Sequence, residues 1–189
     1  ISRMICIVFG VTGCGKTTVG KLLAENLNLP FYDADHFHPP ANVEKMAQGI
    51  PLTDQDRLPW LQNLAEHIRD WDKAGGAVLA CSALNEKYRN ILQAIPKIHW
   101  VLLEGSKGLI RDRLYQRKGH YMNPVLLDSQ FDTLERPSYG QVVDIHQEPA
   151  SIVQEILSKL KPVERKSEFG IIGMGVMGRS LALNLADKG

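Results

Sequence analysis

Residues 4–18 read MICIVFGVTGCGKTT, and the fold follows from how that stretch divides. Ile5-Cys6-Ile7-Val8-Phe9 is a short apolar run ending at a glycine, the pattern of a strand buried in a parallel sheet. Gly10 to Thr17 then fit G-x-x-x-x-G-K-[ST] at every fixed position. The glycines let successive backbone N–H groups converge on one anion. A helix opening near Gly15 adds its positive N-terminal end. Val19, Leu22, Leu23 and Leu27 follow at helical spacing. Strand, loop and one-sided helix in this order point to a nucleoside triphosphate site. Gly10, Thr12, Gly13, Cys14, Gly15, Lys16, Thr17 and Thr18 would cradle the triphosphate. Lys16 can reach the β- and γ-phosphates, and the Thr17 hydroxyl can ligate Mg²⁺.

Working outward, Pro30 to Asp33 reads as a second strand, ending in Asp33-Ala34-Asp35-His36. Carboxylates at the carboxyl end of a strand sit where open α/β sheets hold ligands. One can reach Mg²⁺ through water and another can accept a hydroxyl proton; a solvated acidic turn is the plainer alternative. His36 and His38 lack a third ligand at a familiar spacing and read as a polar loop with no ligand role. Asn42 to Gln48 is a short helix, and a longer one starts at Thr53-Asp54 and runs to about Lys73. Leu58, Leu61, Leu64, Ile68 and Trp71 form its apolar side. Arg57 in its first turn opposes the helix dipole, so an anionic partner and a plain surface arginine both stay open. Gly75-Gly76 stops the helix.

Ala77 to Cys81, Ile98 to Leu103 and Val142 to Ile145 supply three further strands, separated by helices at 85–93, 107–118 and 125–134. A last helix runs from Pro149 to Leu160. Alternating strands and helices argue a parallel sheet covered on both faces. Arg113 and Arg117 share a helix face, and the following Gly119 to Pro124 reads as a mobile lid that brings arginines onto phosphates.

The chain has 189 residues, 44% hydrophobic and 23% charged, with net charge +1. That balance fits a soluble globular protein and gives no global field for nucleic acid or membrane. No apolar run approaches the roughly 20 residues of a membrane span, and no secretory leader is expected. Cys6, Cys14 and Cys81 show no metal-type spacing, which suits reduced thiols in a cytoplasmic setting.

From Met4 to about Leu160 the chain resembles the gluconokinase family of P-loop small-molecule kinases. The resemblance rests on Gly10 to Thr18, NVEKMAQGIPLTDQDRLPWL (42–61), CSALNEKYR (81–89), RLYQRKGHYM (113–122) and LLDSQFDTLERP (126–137). It implies an α/β fold with a five-stranded parallel sheet, flanking helices and a lid. It implies transfer of the ATP γ-phosphoryl group to the 6-hydroxyl of D-gluconate, with Mg²⁺, and a homodimer. Lys16, Asp35, Arg113 and Arg117 are the expected catalytic residues, and Thr17 and Asp33 the expected metal-binding pair. Asp35, Arg57, Ser82, Arg89, His120 and Gln130 are the expected substrate contacts, with Arg57 assigned by analogy to shikimate kinases. The loop from His146 to Pro149 is expected to bound the adenine.

Residues 162–168 read as a charged linker after a kinase-like domain at 1–161. Residues 169–189 contain Gly173-Met-Gly175-Val-Met-Gly178, a G-x-G-x-x-G set between a strand-like and a helix-like stretch. The segment resembles the start of a 6-phosphogluconate dehydrogenase. No acidic residue for a ribose follows, so the segment alone is not expected to bind a dinucleotide.

Overall fold

The computed structural model describes residues 3–116 and 124–160. The chain runs β1 (Met4–Phe9), α1 (Lys16–Leu27), β2 (Phe31–Asp33), α2 (Pro40–Ala47), α3 (Asp54–Lys73) and β3 (Gly76–Cys81). It continues through α4 (Glu86–Leu92), β4 (His99–Glu104), α5 (Lys107–Gln116), α6 (Pro124–Thr133), β5 (Gln141–Asp144) and α7 (Pro149–Leu160). Of the lid expected at Gly119 to Pro124, residues 119–123 lie outside the described residues and Pro124 opens α6; Arg117, His120, the linker and the dinucleotide-like segment also lie outside them.

All five strands are parallel, in the order β2-β3-β1-β4-β5. The expected five-stranded α/β sheet is therefore the observed one. The most apolar strands, β1, β3 and β4, are central, and the short β2 and β5 are the edges. The period-2 alternation of side chains divides the core in two. Cys6, Val8, Val78, Val101 and Leu103 face α1, α5, α6 and α7. Ile5, Ile7, Phe9, Leu79 and Leu102 face α3 and α4. The chain leaves β1 toward β2 on one side and later returns to β4 on the other. Its carboxyl end is thus the switch point where doubly wound sheets open a crevice.

Two elements differ from the sequence reading. In α3, Leu58 is exposed and Trp60 is buried instead, its indole N–H donating to the Ala34 carbonyl oxygen at 2.8 Å. Leu61, Leu64, Ile68 and Trp71 are buried as expected, so only the first position of the stripe differs. The stretch around His36 and His38, read as a polar loop, begins with a 3-10 turn at residues 34–37, capped by the Asp33 carboxylate, which accepts from the Asp35 N–H at 3.0 Å. Thr53 caps α3 reciprocally with Asp56: the Asp56 N–H donates to Thr53 Oγ1 at 3.2 Å, and the Thr53 N–H to Asp56 Oδ2 at 2.9 Å.

Candidate active site

The loop between β1 and α1 turns through three glycines with positive φ: Gly10 at 147°, Gly13 at 77° and Gly15 at 98°. A Cβ on Gly10 would stand 2.8 Å from the Leu103 carbonyl oxygen, so β4 closes the floor of the loop. Helix α1 starts with neither a side-chain cap nor an acidic residue in its first turn. Its leading N–H groups are left for an anion. The Lys16 ammonium lies across the loop, donating to the carbonyl oxygens of Gly10 and Val11 at 3.0 Å each. The Thr12 N–H donates to Gln130 Oε1 at 2.7 Å, which ties the loop to α6. Cys14 is buried beneath the loop, and burial pushes its thiol up, against the nearby Lys16 charge.

β2 pairs with β3 so that Asp33 stands opposite Ala80, close to the end of β1. The Thr17 hydroxyl donates to Asp33 Oδ2 at 3.3 Å. Two hard oxygen donors this close, beside an anion loop, fit Mg²⁺, which takes few protein ligands and completes its shell with phosphates and water. Among the described residues no cluster of three His, Cys, Asp or Glu could hold a metal without such help.

A cavity of about 630 Å³ joins these pieces to a second half. Thr12, Lys16 and Thr17 line one end; Asp35, Arg57 and Ser82 line it too, with Asp33 and Gln130. His38, Trp60, Met46 and Ile50 complete the wall. Arg57 is held at the start of α3 by Tyr88 on α4. Its Nη1 donates to the phenol oxygen at 3.4 Å, and its guanidinium carbon lies 5.8 Å from the ring centroid. Tyr88 and Lys87 both donate to Asp54, so α4 and the first turn of α3 are clamped together. The arrangement can hold a triphosphate at one end and present a carboxylate and a guanidinium to a second molecule at the other.

A family model described as shikimate kinase matches residues 12–161. A probable gluconokinase of Xenopus tropicalis is 46% identical over 174 residues, covering 81% of this chain and 91% of the relative. The gluconokinase of Gluconobacter oxydans is 49% identical over 140 residues, with coverage of 72% and 78%. The chain belongs to the gluconokinase family. A gluconokinase from Sinorhizobium meliloti superposes with a TM-score of 0.76 at 39% identity, covering 83% of this chain and 91% of that one. The protein is thus a gluconokinase-family phosphotransferase on a P-loop kinase fold.

The expectations for individual residues divide on geometry. Thr12, Gly13, Gly15, Lys16, Thr17, Thr18, Asp33, Asp35, Arg57, Ser82 and Gln130 all line the cavity. Arg89 does not. It is 1% exposed, and its guanidinium donates to Ala83 O, Leu84 O and Glu135 O, to Glu86 Oε2 and to Tyr139 Oη. With its donors consumed, Arg89 is a clasp between α4 and the segment after α6 rather than a substrate contact. Arg113 also points elsewhere: its Nη2 donates to the Ile145 carbonyl oxygen at 2.6 Å, at the end of β5. Gly10 and Cys14 shape the loop from below.

Sequence reasoning missed His38, Trp60, Met46 and Ile50. No local pattern in the sequence marks them; they meet on the cavity wall only through the packing of the turn after β2, α2, its following loop and α3.

Proposed function

We propose that the protein transfers the γ-phosphoryl group of ATP to the 6-hydroxyl of D-gluconate, giving ADP and 6-phosphogluconate. The observation that carries this is one cavity holding the phosphate loop together with Asp35 and Arg57, in a chain of the gluconokinase family. The loop N–H groups and Lys16 bind the triphosphate. Thr17 would hold Mg²⁺, with Asp33 reaching it through water. When bound, the ion neutralises charge on the phosphate oxygens. Asp35 orients the 6-hydroxyl and takes its proton as the oxygen–phosphorus bond forms and the bond to ADP breaks. Little base strength is needed when the transition state is loose. Among the described residues Arg57 is the guanidinium on the cavity wall, so it takes the gluconate carboxylate, with Ser82 and Gln130 beside it. Arg117, and Arg113 once released from Ile145, would close over the phosphates, with His120 near the acceptor. The loop from His146 to Pro149 would bound the adenine.

We also propose a homodimer acting in the cytoplasm in the pentose phosphate pathway. Residues 169–189 would open a 6-phosphogluconate dehydrogenase that uses the product, and the G-x-G-x-x-G between Gly173 and Gly178 supports that reading.

The test is ADP release with MgATP and a panel of acceptors: D-gluconate, other aldonates, shikimate, nucleoside monophosphates, or none. Release that depends on gluconate is the expected result. Release with shikimate or a nucleotide alone would keep the fold and discard the substrate; release without any acceptor would replace the kinase with an NTPase.

A further inference from the structure

We infer that His38 is a specificity-determining residue of the acceptor site, whose Nε2–H donates to a hydroxyl oxygen of the polyol chain, and that Asn42 fixes the tautomer that makes this possible. The inference deepens the proposed function and rests on it.

The tautomer is set from a backbone carbonyl. Asn42 is 4% exposed, on the first turn of α2, and its amide nitrogen lies 2.9 Å from the carbonyl oxygen of Asp56. A carbonyl oxygen only accepts, so the atom facing it is the NH₂ and not the amide oxygen. The same nitrogen lies 3.4 Å from His38 Nδ1. An NH₂ has nothing to accept with, so Nδ1 is the unprotonated nitrogen and accepts the second N–H. The ring proton of neutral His38 is then on Nε2. Burial holds the imidazole below its usual range; the nearby Asp35 carboxylate opposes this, and the Arg57 charge adds to it. Neutral imidazole is the form in which the Asn42 contact is satisfied.

The ring is also oriented. It stacks on Trp60 with centroids 4.1 Å apart and planes 16° apart, and Trp60 is itself pinned by its indole N–H to Ala34 O. Asp56, whose carbonyl starts the chain, is fixed by the α3 cap and by Lys45 Nζ at 2.7 Å. One ring face and Nδ1 are thus occupied. Nε2 has no protein partner among the described residues, on a side chain that lines the cavity beside Asp35 and Arg57. A rigid, uncharged N–H donor in one cavity with a carboxylate and a guanidinium suits the uncharged hydroxyls of a sugar acid: Arg57 takes the carboxylate, Asp35 the terminal hydroxyl, and His38 the oxygen of another hydroxyl. A site built to hydrogen-bond a hydroxyl discriminates against the analogue that lacks it.

The test combines deoxy-gluconates, each lacking one hydroxyl, with His38→Phe, which keeps the stack on Trp60 and removes both nitrogens. Wild-type protein should lose roughly threefold to tenfold in kcat/KM with one particular deoxy analogue, the size of one neutral hydrogen bond. His38→Phe should lose a similar factor with gluconate, keep its KM for ATP, and no longer distinguish that analogue from gluconate. His38→Gln, which retains an N–H donor, should recover part of the loss. Nitrogen NMR of the wild-type protein, which needs no variant, should show a pyridine-type Nδ1 and a pyrrole-type Nε2, and Asn42→Ala should give a mixture of tautomers. A His38→Phe enzyme that ranks every deoxy analogue as the wild type does, or a protonated Nδ1 in the neutral ring, would overturn the inference while gluconate turnover stands. A wild-type protein that does not phosphorylate gluconate would remove the underlying reading instead.

Discussion

Arg89 and Arg57 are both arginines near the carboxyl ends of strands, in stretches that equally resemble the family, yet they are different objects. Arg57 faces the cavity with one weak protein contact at 3.4 Å, whereas the Arg89 fork is saturated by three carbonyls, a carboxylate and a phenol. Removing Arg89 strands buried acceptors, so Arg89→Ala should cost about 3–5 kcal/mol of stability. Arg89→Lys should rescue little of this, because an ammonium cannot reproduce the fork. Denaturant unfolding measures it; unchanged stability with a raised KM for gluconate would return Arg89 to the substrate site. For Asp35→Asn, kcat with gluconate should fall on the order of 10²-fold or more while KM for ATP stays put, since the carboxylate serves the acceptor and not the nucleotide. Undiminished turnover would take the proton-accepting role away from Asp35. The phosphate loop was readable in the sequence because backbone geometry dictates its glycines. The fate of each arginine was not, because it depends on which carbonyls tertiary packing brings within reach.

At the scale of elements, the strands and helices were legible to within a residue or two because each has a clear period and a stop signal. Gly75-Gly76 was read as a helix stop, and the structure adds why a second glycine is needed. Gly76 is the first residue of β3 with φ 121°, and a Cβ there would lie 2.2 Å from the Met4 carbonyl oxygen. Gly76→Ala must displace β1 from β3, and should lower stability by roughly 2 kcal/mol or more, read by thermal unfolding. An unshifted melting temperature would mean the strands can part there freely. The start of α3 was legible at Thr53-Asp54, with Thr or Asp as its cap, but the reciprocal Thr53–Asp56 pair and its partner Lys45 were not, since α2 reaches Asp56 only through the fold. Hydrogen bonds from Lys45 and then from the Thr53 backbone hold the Asp56 carboxyl down at about 2. A depressed carboxylate contributes its full stabilisation above its unfolded value, near pH 4, and loses it as pH falls toward the folded one. Between about pH 4 and pH 2 the wild-type melting temperature should therefore fall more steeply than that of Asp56→Asn. Parallel curves would show that the cap carries none of the acid sensitivity.

For the whole molecule, the sheet order makes the site. With β1 between β3 and β4, the phosphate loop emerges at the switch point, and β2 sets its acidic end beside it across β3. The alternation of strands and helices in the sequence implies a parallel sheet covered on both faces but not the order of its strands; the nucleotide half was visible from the start because its loop is one contiguous motif. The acceptor half was less so. His38, Trp60, Met46 and Ile50 come from a turn, α2, α3 and a connecting loop, and no local period marks residues that meet only because those pieces pack on one another. No helix among the described residues is long and apolar enough to cross a membrane.

The phosphorus NMR spectrum of the product formed from D-gluconate and MgATP decides whether the phosphoryl group reaches the 6-hydroxyl. A phosphate ester on the primary 6-hydroxyl couples to the two protons of one CH₂ group, so a triplet should appear as ADP accumulates. A doublet from a secondary ester, or inorganic phosphate alone, would rule out transfer to the 6-hydroxyl.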